Sequence, residues 1–577
     1  MLLRMRQPGE VDESSRVDVN AEPSAGDLAT DESRRSGPRR LVAGLMIAVA
    51  AVPVVRMALL VRGVSRMQYG DYWLIFGDLI GENGSLQVEN LLVRHNGHPL
   101  LTAKLIYWLN LTVFEGSNRS MAAVVVVVGV AQVAILGWML MRTPISVVER
   151  GVLLVLSSAL LFSMNGAWNY VLSMSGAAWL TANVWALAAL LARWQQRWLL
   201  AVPLAVLATL SYGTGMAVWP ALIAVGLVCR PWRQWWKEMP LAAALVGFEV
   251  LRRMQSTSVL TVATTVGGFL RDLPAMVAWP FGLTGPPAVV VGATALAAVA
   301  ALGLWAVVGN HHASAPWLGV AVYGIVATAF IVYGRPGEMG AGEGRYQSLP
   351  SFVWIGLAAM VVLRVRHRAM ELVASRAVSV RRVALWGTSV VVVMPMVVAA
   401  TVAGSGQRRM MEETRDQQDL GAIALRLGLD RDLNYMTRVG GSPVDVDHLE
   451  SADQYPLTGS WNAHCGLLGT RLDLSKLDRA GGGLSNLAES TQLEGGVELM
   501  GRVPPGVSIS CVVITDDRGE VVGLGLDDLW LNRAFPVTDG SRRIRAVAHS
   551  GVDRYRAVVV TPSGRRVLLD GSIAPAN

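Results

Sequence analysis

The sequence predicts an α-helical polytopic membrane protein of about eleven transmembrane helices, followed by an extracytoplasmic α/β region that ends in a small β-sandwich. Three observations carry that expectation. Of 577 residues, 52% are hydrophobic and only 16% are charged, well below the roughly one quarter charged residues of soluble domains. The apolar residues fall into runs near the ~20 residues that a membrane crossing needs. Arginines gather in alternate short loops between those runs, as the positive-inside bias requires.

The polar, mixed-charge segment 1–40 is expected to be a disordered cytoplasmic tail. It ends in Arg34-Arg35 and Arg39-Arg40, directly before an apolar run, and has no cleavage-site pattern, so the first span is an anchor with its N-terminus in the cytoplasm. The transmembrane region covers 41–403, with spans near 41–62, 121–141, 148–164, 174–192, 198–213, 215–229, 239–255, 286–308, 316–333, 348–364 and 383–403. Arg142 and Arg150, Arg193 and Arg197, Arg230 and Arg233, and the cluster from Arg364 to Arg382 mark the cytoplasmic loops. An odd number of spans places the C-terminus outside. Two outer loops are long, 63–120 and 256–285; the second holds an apolar stretch too short to cross and reads as an interfacial or re-entrant helix. In the first, Glu89 to Trp108 reads as a helix lying along the membrane surface.

Beyond Gly404 the segment 404–480 is charged and helical at first, with Leu420, Ile423, Leu425 and Leu427 as its apolar face. Gly481-Gly482-Gly483 reads as a flexible joint before a β-sandwich-like accessory domain, 481–577. There, alternating runs at Val507–Ile514, Glu520–Leu526, Arg543–His549, Tyr555–Thr561 and Arg566–Leu569 are separated by turn signals such as Asp539-Gly540. If this region lies outside the cytoplasm, Cys465 and Cys511 are candidates for a disulfide. Cys229, at the end of an apolar run, reads as a free buried thiol.

Candidate chemistry concentrates in the outer loops. Asp71, in Gly70-Asp71-Tyr72-Trp73, is a carboxylate among interfacial aromatics just past the first span, suited to general-base work on a hydroxyl. Asp78 lies two helical turns on and would share its face. His95 and His98, three apart around Asn96, would fall on one helix face; without a placed third ligand they suit a phosphate or sugar hydroxyl better than a metal, and a polar interfacial loop explains them equally well. Lys104, one of three lysines in the chain, would pair with a lipid phosphate or snorkel. Between the ninth and tenth spans, Arg335-Pro336-Gly337 through Gly344-Arg345-Tyr346 combines glycines able to form an anion nest with Arg335 and Arg345 as fixed cations. Trp168-Asn169 offers an aromatic face and an amide for a sugar, or an interfacial anchor. The net charge of +7 comes from the loop arginines and does not point to nucleic acid. No Walker loop, zincin motif, serine elbow or CxxC occurs.

This layout resembles the GT-C superfamily of integral-membrane glycosyltransferases over roughly 41–403. In that superfamily an acidic residue in the first outer loop serves as base or site organiser, and Asp71 holds that position. The chain is also similar to a group of bacterial polytopic proteins with an Asn-x-His element in the first loop, an aromatic-Asn element after the third span and a late Arg-Tyr pair. Asn96-Gly97-His98, Trp168-Asn169 and Arg345-Tyr346 match these elements. Pro99 stands where that group has Arg, so no arginine role carries over there. The β-rich tail is similar in class to the outer carbohydrate-binding modules of actinobacterial arabinosyltransferases.

The resemblance implies a transferase in a bacterial cytoplasmic membrane. It would move a sugar from a polyprenyl-phosphate donor to a cell-envelope glycan or lipid acceptor, with Asp71 as base and Arg345, Lys104 or His98 on the leaving phosphate. A divalent metal is optional in such enzymes, and no other cofactor is implied. Two rival expectations stand beside it: a transporter or flippase for a lipid-linked saccharide, and a non-catalytic glycan-binding envelope scaffold.

Overall fold

The computed structural model describes residues 25–577, apart from 69–71, 82–84, 96, 239, 241–242, 244–246, 248–264, 335–343, 373–392, 405–406, 430–448, 451–455, 458–465, 487–494, 530–531, 533–536 and 575–577. Seven helical segments among the described residues are long and apolar enough to cross a membrane: Arg40–Val61, Asn118–Arg142, Val147–Gly166, Ser173–Trp194, Gly285–Val308, His312–Gly334 and Gly344–Ala369. Four shorter apolar helices accompany them, Leu101–Phe114, Trp198–Ser211, Gly213–Cys229 and Val393–Val402. Much of the expected spans 239–255 and 383–403 falls outside the described residues.

Taken in order, the helices are α1 (Ala25–Val61), α2 (Tyr72–Leu79), α3 (Leu101–Phe114), α4 (Asn118–Arg142), α5 (Val147–Leu161), α6 (Ser173–Trp194), α7 (Trp198–Ser211), α8 (Val218–Cys229), α9 (Val266–Val277), α10 (Gly285–Val308), α11 (Ala315–Gly334), α12 (Ser348–Leu372), α13 (Val393–Val402) and α14 (Gln407–Arg426). The tail expected to be disordered is helical from Ala25 onward, since lengthening a formed helix avoids the cost of a new nucleus. The 12-residue α9 lies in the expected outer loop 256–285; a Cβ on Gly292 of α10 would stand 1.8 Å from the carbonyl oxygen of its Pro274, so the two helices meet backbone to backbone.

Packing in the bundle relies on small residues and buried amides. A Cβ on Gly356 of α12 would lie 2.5 Å from the Trp317 carbonyl oxygen of α11, and one on Gly324 would lie 2.8 Å from Val353 N. Such close approach is the usual way apolar helices gain contact without a hydrophobic driving force between them. Gln132 of α4 donates to the Leu180 carbonyl of α6 at 3.0 Å, and Tyr323 of α11 donates to Asn183 Oδ1 of α6 at 2.7 Å. The segment containing α12 is the most enclosed, with 83% of its apolar window buried; that of α1 is the most peripheral at 17%. At one end of the bundle, buried Glu149 accepts from the Ser146 backbone in a capping box and pairs with Arg366 at 3.2 Å. The opposite end carries the long loop between α1 and α4 and is called the loop end below.

α14 joins the bundle to the C-terminal region at the loop end. Its Met411, Ala422 and Leu425 belong to the core of the bundle, while Leu420, Ile423, Ala424 and Leu427 pack on the sheet. The single apolar face expected from sequence is therefore divided between two partners. Ser65, just past α1, donates to Asp419 at 2.5 Å, and Gln418 donates to the Met67 carbonyl at 3.2 Å.

The expected β-sandwich is instead one eight-stranded sheet. Its strands are β1 (Asp478–Ala480), β2 (Gly483–Asn486), β3 (Gly496–Val503), β4 (Cys511–Thr515), β5 (Val521–Asp527), β6 (Arg542–His549), β7 (Tyr555–Val560) and β8 (Arg566–Ile573), in the order β1-β8-β7-β4-β5-β6-β3-β2. β1 and β2 occupy the two ends of that order yet follow each other in the chain, so the sheet rolls until its ends meet. The triple glycine is the corner that permits this rather than a flexible joint. Gly482 sits at φ +124° and accepts from Gly571 N at 2.9 Å, and a Cβ there would stand 2.4 Å from the Arg502 carbonyl oxygen. β1 precedes the corner, so the expected boundary at 481 cuts through the sheet. Alternation fills both faces: Cys511 and Val513 point toward α14, Val512 and Ile514 into the roll. Cys511 is disulfide-bonded, and Cys229, expected to be buried, is a half-buried cysteine outside any disulfide; Cys465 lies outside the described residues.

Candidate functional site

Asp71, the proposed base, lies outside the described residues, as do Asn96 and Arg335. The helix that begins at the next residue is anchored firmly. α2 buries Tyr72, Trp73, Ile75, Phe76 and Leu79, and the Tyr72 ring meets Tyr107 of α3 edge-on at 6.0 Å. Burial pushes the Tyr72 phenol well above its ordinary value, so it stays protonated. Asp78 lies on the exposed side of α2, and its carbonyl accepts from Asn90 Nδ2 at 2.7 Å. It therefore faces away from the buried aromatics and does not line the recess described below.

Lys104 departs most from expectation. Its side chain is 1% exposed, and its ammonium donates to the carbonyls of Asn90 at 2.6 Å and Val93 at 2.9 Å. Burial lowers its pKa, and the charge of Asp78 partly opposes that shift. It holds the short turn Val88–Leu92 against α3 and is not presented to a phosphate. The helix expected over Glu89–Trp108 is α-helical only from Leu101, and the other face of α3, with Leu105, Leu109 and Val113, is exposed and apolar.

His95 and His98 stand on a tight hairpin, not on a helix. Each donates its backbone N–H to the other's carbonyl, at 3.0 and 2.9 Å, across 96–97, and Gly97 adopts φ +75°. Asn-Gly is the dipeptide that such two-residue turns favour, which is why the turn outcompetes helical spacing. His98 is thereby carried against the bundle.

The bundle receives it in a recess. α7 has 14 residues and α8 has 12, each shorter than a full crossing; they meet at the 3-10 turn Gly213–Ala217. Tyr212 projects there and stacks on His98, ring centroids 4.6 Å apart at 27°. On from Tyr212, Trp179 of α6 lies at 4.0 Å, and Tyr346 meets Trp179 edge-on at 4.7 Å. One continuous aromatic row thus joins the first loop to the late Arg-Tyr pair. The Arg345 guanidinium lies 5.2 Å from the Tyr346 ring, and Arg345 is half-buried.

The third element reaches the same place. Gly344 packs against segment 163–171: a Cβ on it would stand 2.0 Å from the Asn165 carbonyl oxygen and 3.2 Å from Trp168 Cδ1. Asn169 is 1% exposed, and its Oδ1 has no hydrogen-bond partner among the described residues. Asn165 ties this segment to its surroundings, donating to the Trp279 carbonyl at 3.1 Å, and Gln347 donates to Ser163 Oγ at 2.9 Å.

His98, Trp168-Asn169 and Arg345-Tyr346 are therefore brought together at the loop end, whereas Asp78 and Lys104 are not part of that group. Chemically, the group offers a guanidinium, an imidazole, an unsatisfied amide oxygen and a line of ring faces, a set that suits an anionic phosphate beside a sugar. Among the described residues no group of three or more His, Cys, Asp or Glu is placed to hold a metal ion. Tyr212 and Trp179 are absent from the expected site. The signal for Tyr212 was present, because Ser211-Tyr212-Gly213-Thr214-Gly215 interrupts an otherwise apolar run. Trp179 lay inside a span and carried none. No family model, curated protein or solved structure matches this chain.

Proposed function

We propose that this protein is a GT-C-type membrane glycosyltransferase that moves a sugar from a polyprenyl-phosphate donor to a cell-envelope glycan or lipid acceptor. In this reading the loop end and the rolled sheet face away from the cytoplasm of a bacterial cell, and the N-terminus lies inside. The supporting observation is the aromatic row that joins His98 to Arg345-Tyr346, with Trp168-Asn169 packed beside its end at Gly344, although they come from segments far apart in the chain.

The reaction is a displacement at the anomeric carbon. The acceptor oxygen attacks while the bond to the lipid phosphate breaks, and the phosphate leaves with the electron pair. Asp71 takes the acceptor proton as general base. Arg345, with His98 nearby, stabilises the charge that develops on the departing phosphate. The ring faces of Trp168 and the aromatic row hold the sugar, and Asn169 Oδ1 accepts from one of its hydroxyls. Lys104 has no direct part in this mechanism.

Membranes containing the full-length protein and a radiolabelled polyprenyl-phosphate sugar test it. Arg345→Ala is expected to lower transfer by about 10²–10³-fold, with Arg345→Lys recovering part of the loss. Unchanged transfer in Arg345→Ala contradicts its role, and unaltered envelope glycans in a deletion strain contradict the enzymatic reading itself.

A further inference from the structure

α1 carries an arginine where its sequence is otherwise apolar. Arg56 stands five residues inside the end of the segment Arg40–Val61, about 8 Å of helix rise. It is exposed, as are Val52, Val55 and Leu59 on the same helix, so this side of α1 meets lipid. A guanidinium at such a position is costly unless something anionic meets it.

A cleft of about 710 Å³ lies along that side. Its floor is one stripe of α1, recurring every three to four residues from Ala48 through Arg56 to Leu60 and continued just past the helix by Gly63 and Val64. Met164 and Val171 wall it toward the bundle, and Arg415 of α14 closes it at the loop end. Among the described residues two arginines line the cleft and no carboxylate does. Asp419 occupies one edge of Arg415, at 3.6 Å from Nε, and is itself held by Ser65.

We propose that this cleft is a binding site for an anionic bilayer phospholipid, its acyl chain on the apolar stripe of α1 and its phosphate between Arg56 and Arg415. Charge complementarity selects the occupant: a phosphate accepts from both forks, and in an anionic lipid no headgroup cation offsets its charge, whereas a zwitterionic lipid brings its own cation beside two guanidiniums and a neutral lipid brings no anion. The lipid then links the most peripheral helix of the bundle to α14, the helix that carries the sheet. This site is separate from the proposed transfer reaction and does not depend on it.

The test reads lipid directly. The full-length protein is exchanged into mild detergent with equal amounts of phosphatidylglycerol, phosphatidylcholine and a polyprenyl phosphate, and retained lipid is identified by native mass spectrometry. Wild type is expected to keep one phosphatidylglycerol, and Arg56→Gln and Arg415→Gln each to weaken its retention about tenfold. Val52→Trp, which fills the apolar stripe and keeps both charges, is expected to expel it too. Arg62→Gln, outside the cleft, is expected to leave it in place. Equal retention of phosphatidylcholine, or retention unchanged in all three cleft variants, overturns the site. Selective retention of the polyprenyl phosphate overturns the phospholipid assignment.

Discussion

His98 of the first loop lies stacked on Tyr212 of the α7–α8 hairpin, in a space kept open by Gly213, where a Cβ would stand 2.5 Å from His98 Nδ1. A ring cannot hold that position against an added methyl group, so Gly213→Ala is expected to push the imidazole off Tyr212. Displacement of this order costs about 10²-fold in rate where a group positions substrate. His98→Phe separates packing from chemistry, because it keeps the stack and removes the nitrogens. Both variants are expected to lower transfer, with Gly213→Ala alone also shifting the tyrosine fluorescence of the recess. Wild-type turnover in His98→Phe would reduce the histidine to a packing residue.

Asn169 is buried with an unsatisfied Oδ1 among the described residues, so its side chain contributes little visible bonding to the fold. Asn169→Ala is expected to raise the donor KM about tenfold while the melting temperature in detergent stays near wild type. A large loss of stability with unchanged KM would show that the amide serves the fold instead.

Lys104→Met removes the donor to two loop carbonyls and is expected to destabilise the first loop by about 2–3 kcal/mol. Donor KM should change only as far as the loop loosens, and limited proteolysis of 82–100 reads that loosening. The pH dependence has a definite sign. Because burial lowers the ammonium pKa in the folded state, the unfolded chain holds more protons between that value and the ordinary 10.5. Stability therefore rises with pH across that alkaline window. Lys104→Met should flatten the slope, and an identical slope in both proteins would contradict the assignment.

Arg545 of β6 donates to Glu498 of β3 at 2.9 Å and stands 3.9 Å from Asp528; both carboxylates are buried. Arg545→Met leaves two buried acids without this cation, which is expected to cost about 3–5 kcal/mol. The double variant Arg545→Met with Glu498→Met should recover part of that loss, since a packed apolar pair needs no counter-charge. Protease resistance of the sheet in the full-length chain reads both outcomes.

The membrane character, the joining helix and most later strands were legible because they rest on local periodicity. Val512 and Ile514 alternate with Cys511 and Val513, and that alternation alone specifies a strand with two buried faces. Roll and register were not legible, since they depend on Gly482 meeting Arg502 and Gly571 across the sheet. In the site, the types of His98, Asn169 and Arg345 could be read, but not that Tyr212 and Trp179 bridge them. The hairpin shows the limit most sharply: spacing put His95 and His98 on a helix face, while Asn96-Gly97 was the stronger local signal. Lys104 shows the reverse error, in which a rare residue type suggested a ligand and the fold had assigned it to backbone carbonyls.

The most direct measurement is sugar transfer by Asp71→Asn in membranes. Asp71 immediately precedes α2, and asparagine caps a helix about as well as aspartate, so this substitution removes the charge while preserving any capping role. Loss of transfer by about 10²–10⁴-fold, with the melting temperature and donor binding of wild type, is the predicted result. Full transfer by Asp71→Asn would contradict the carboxylate as base.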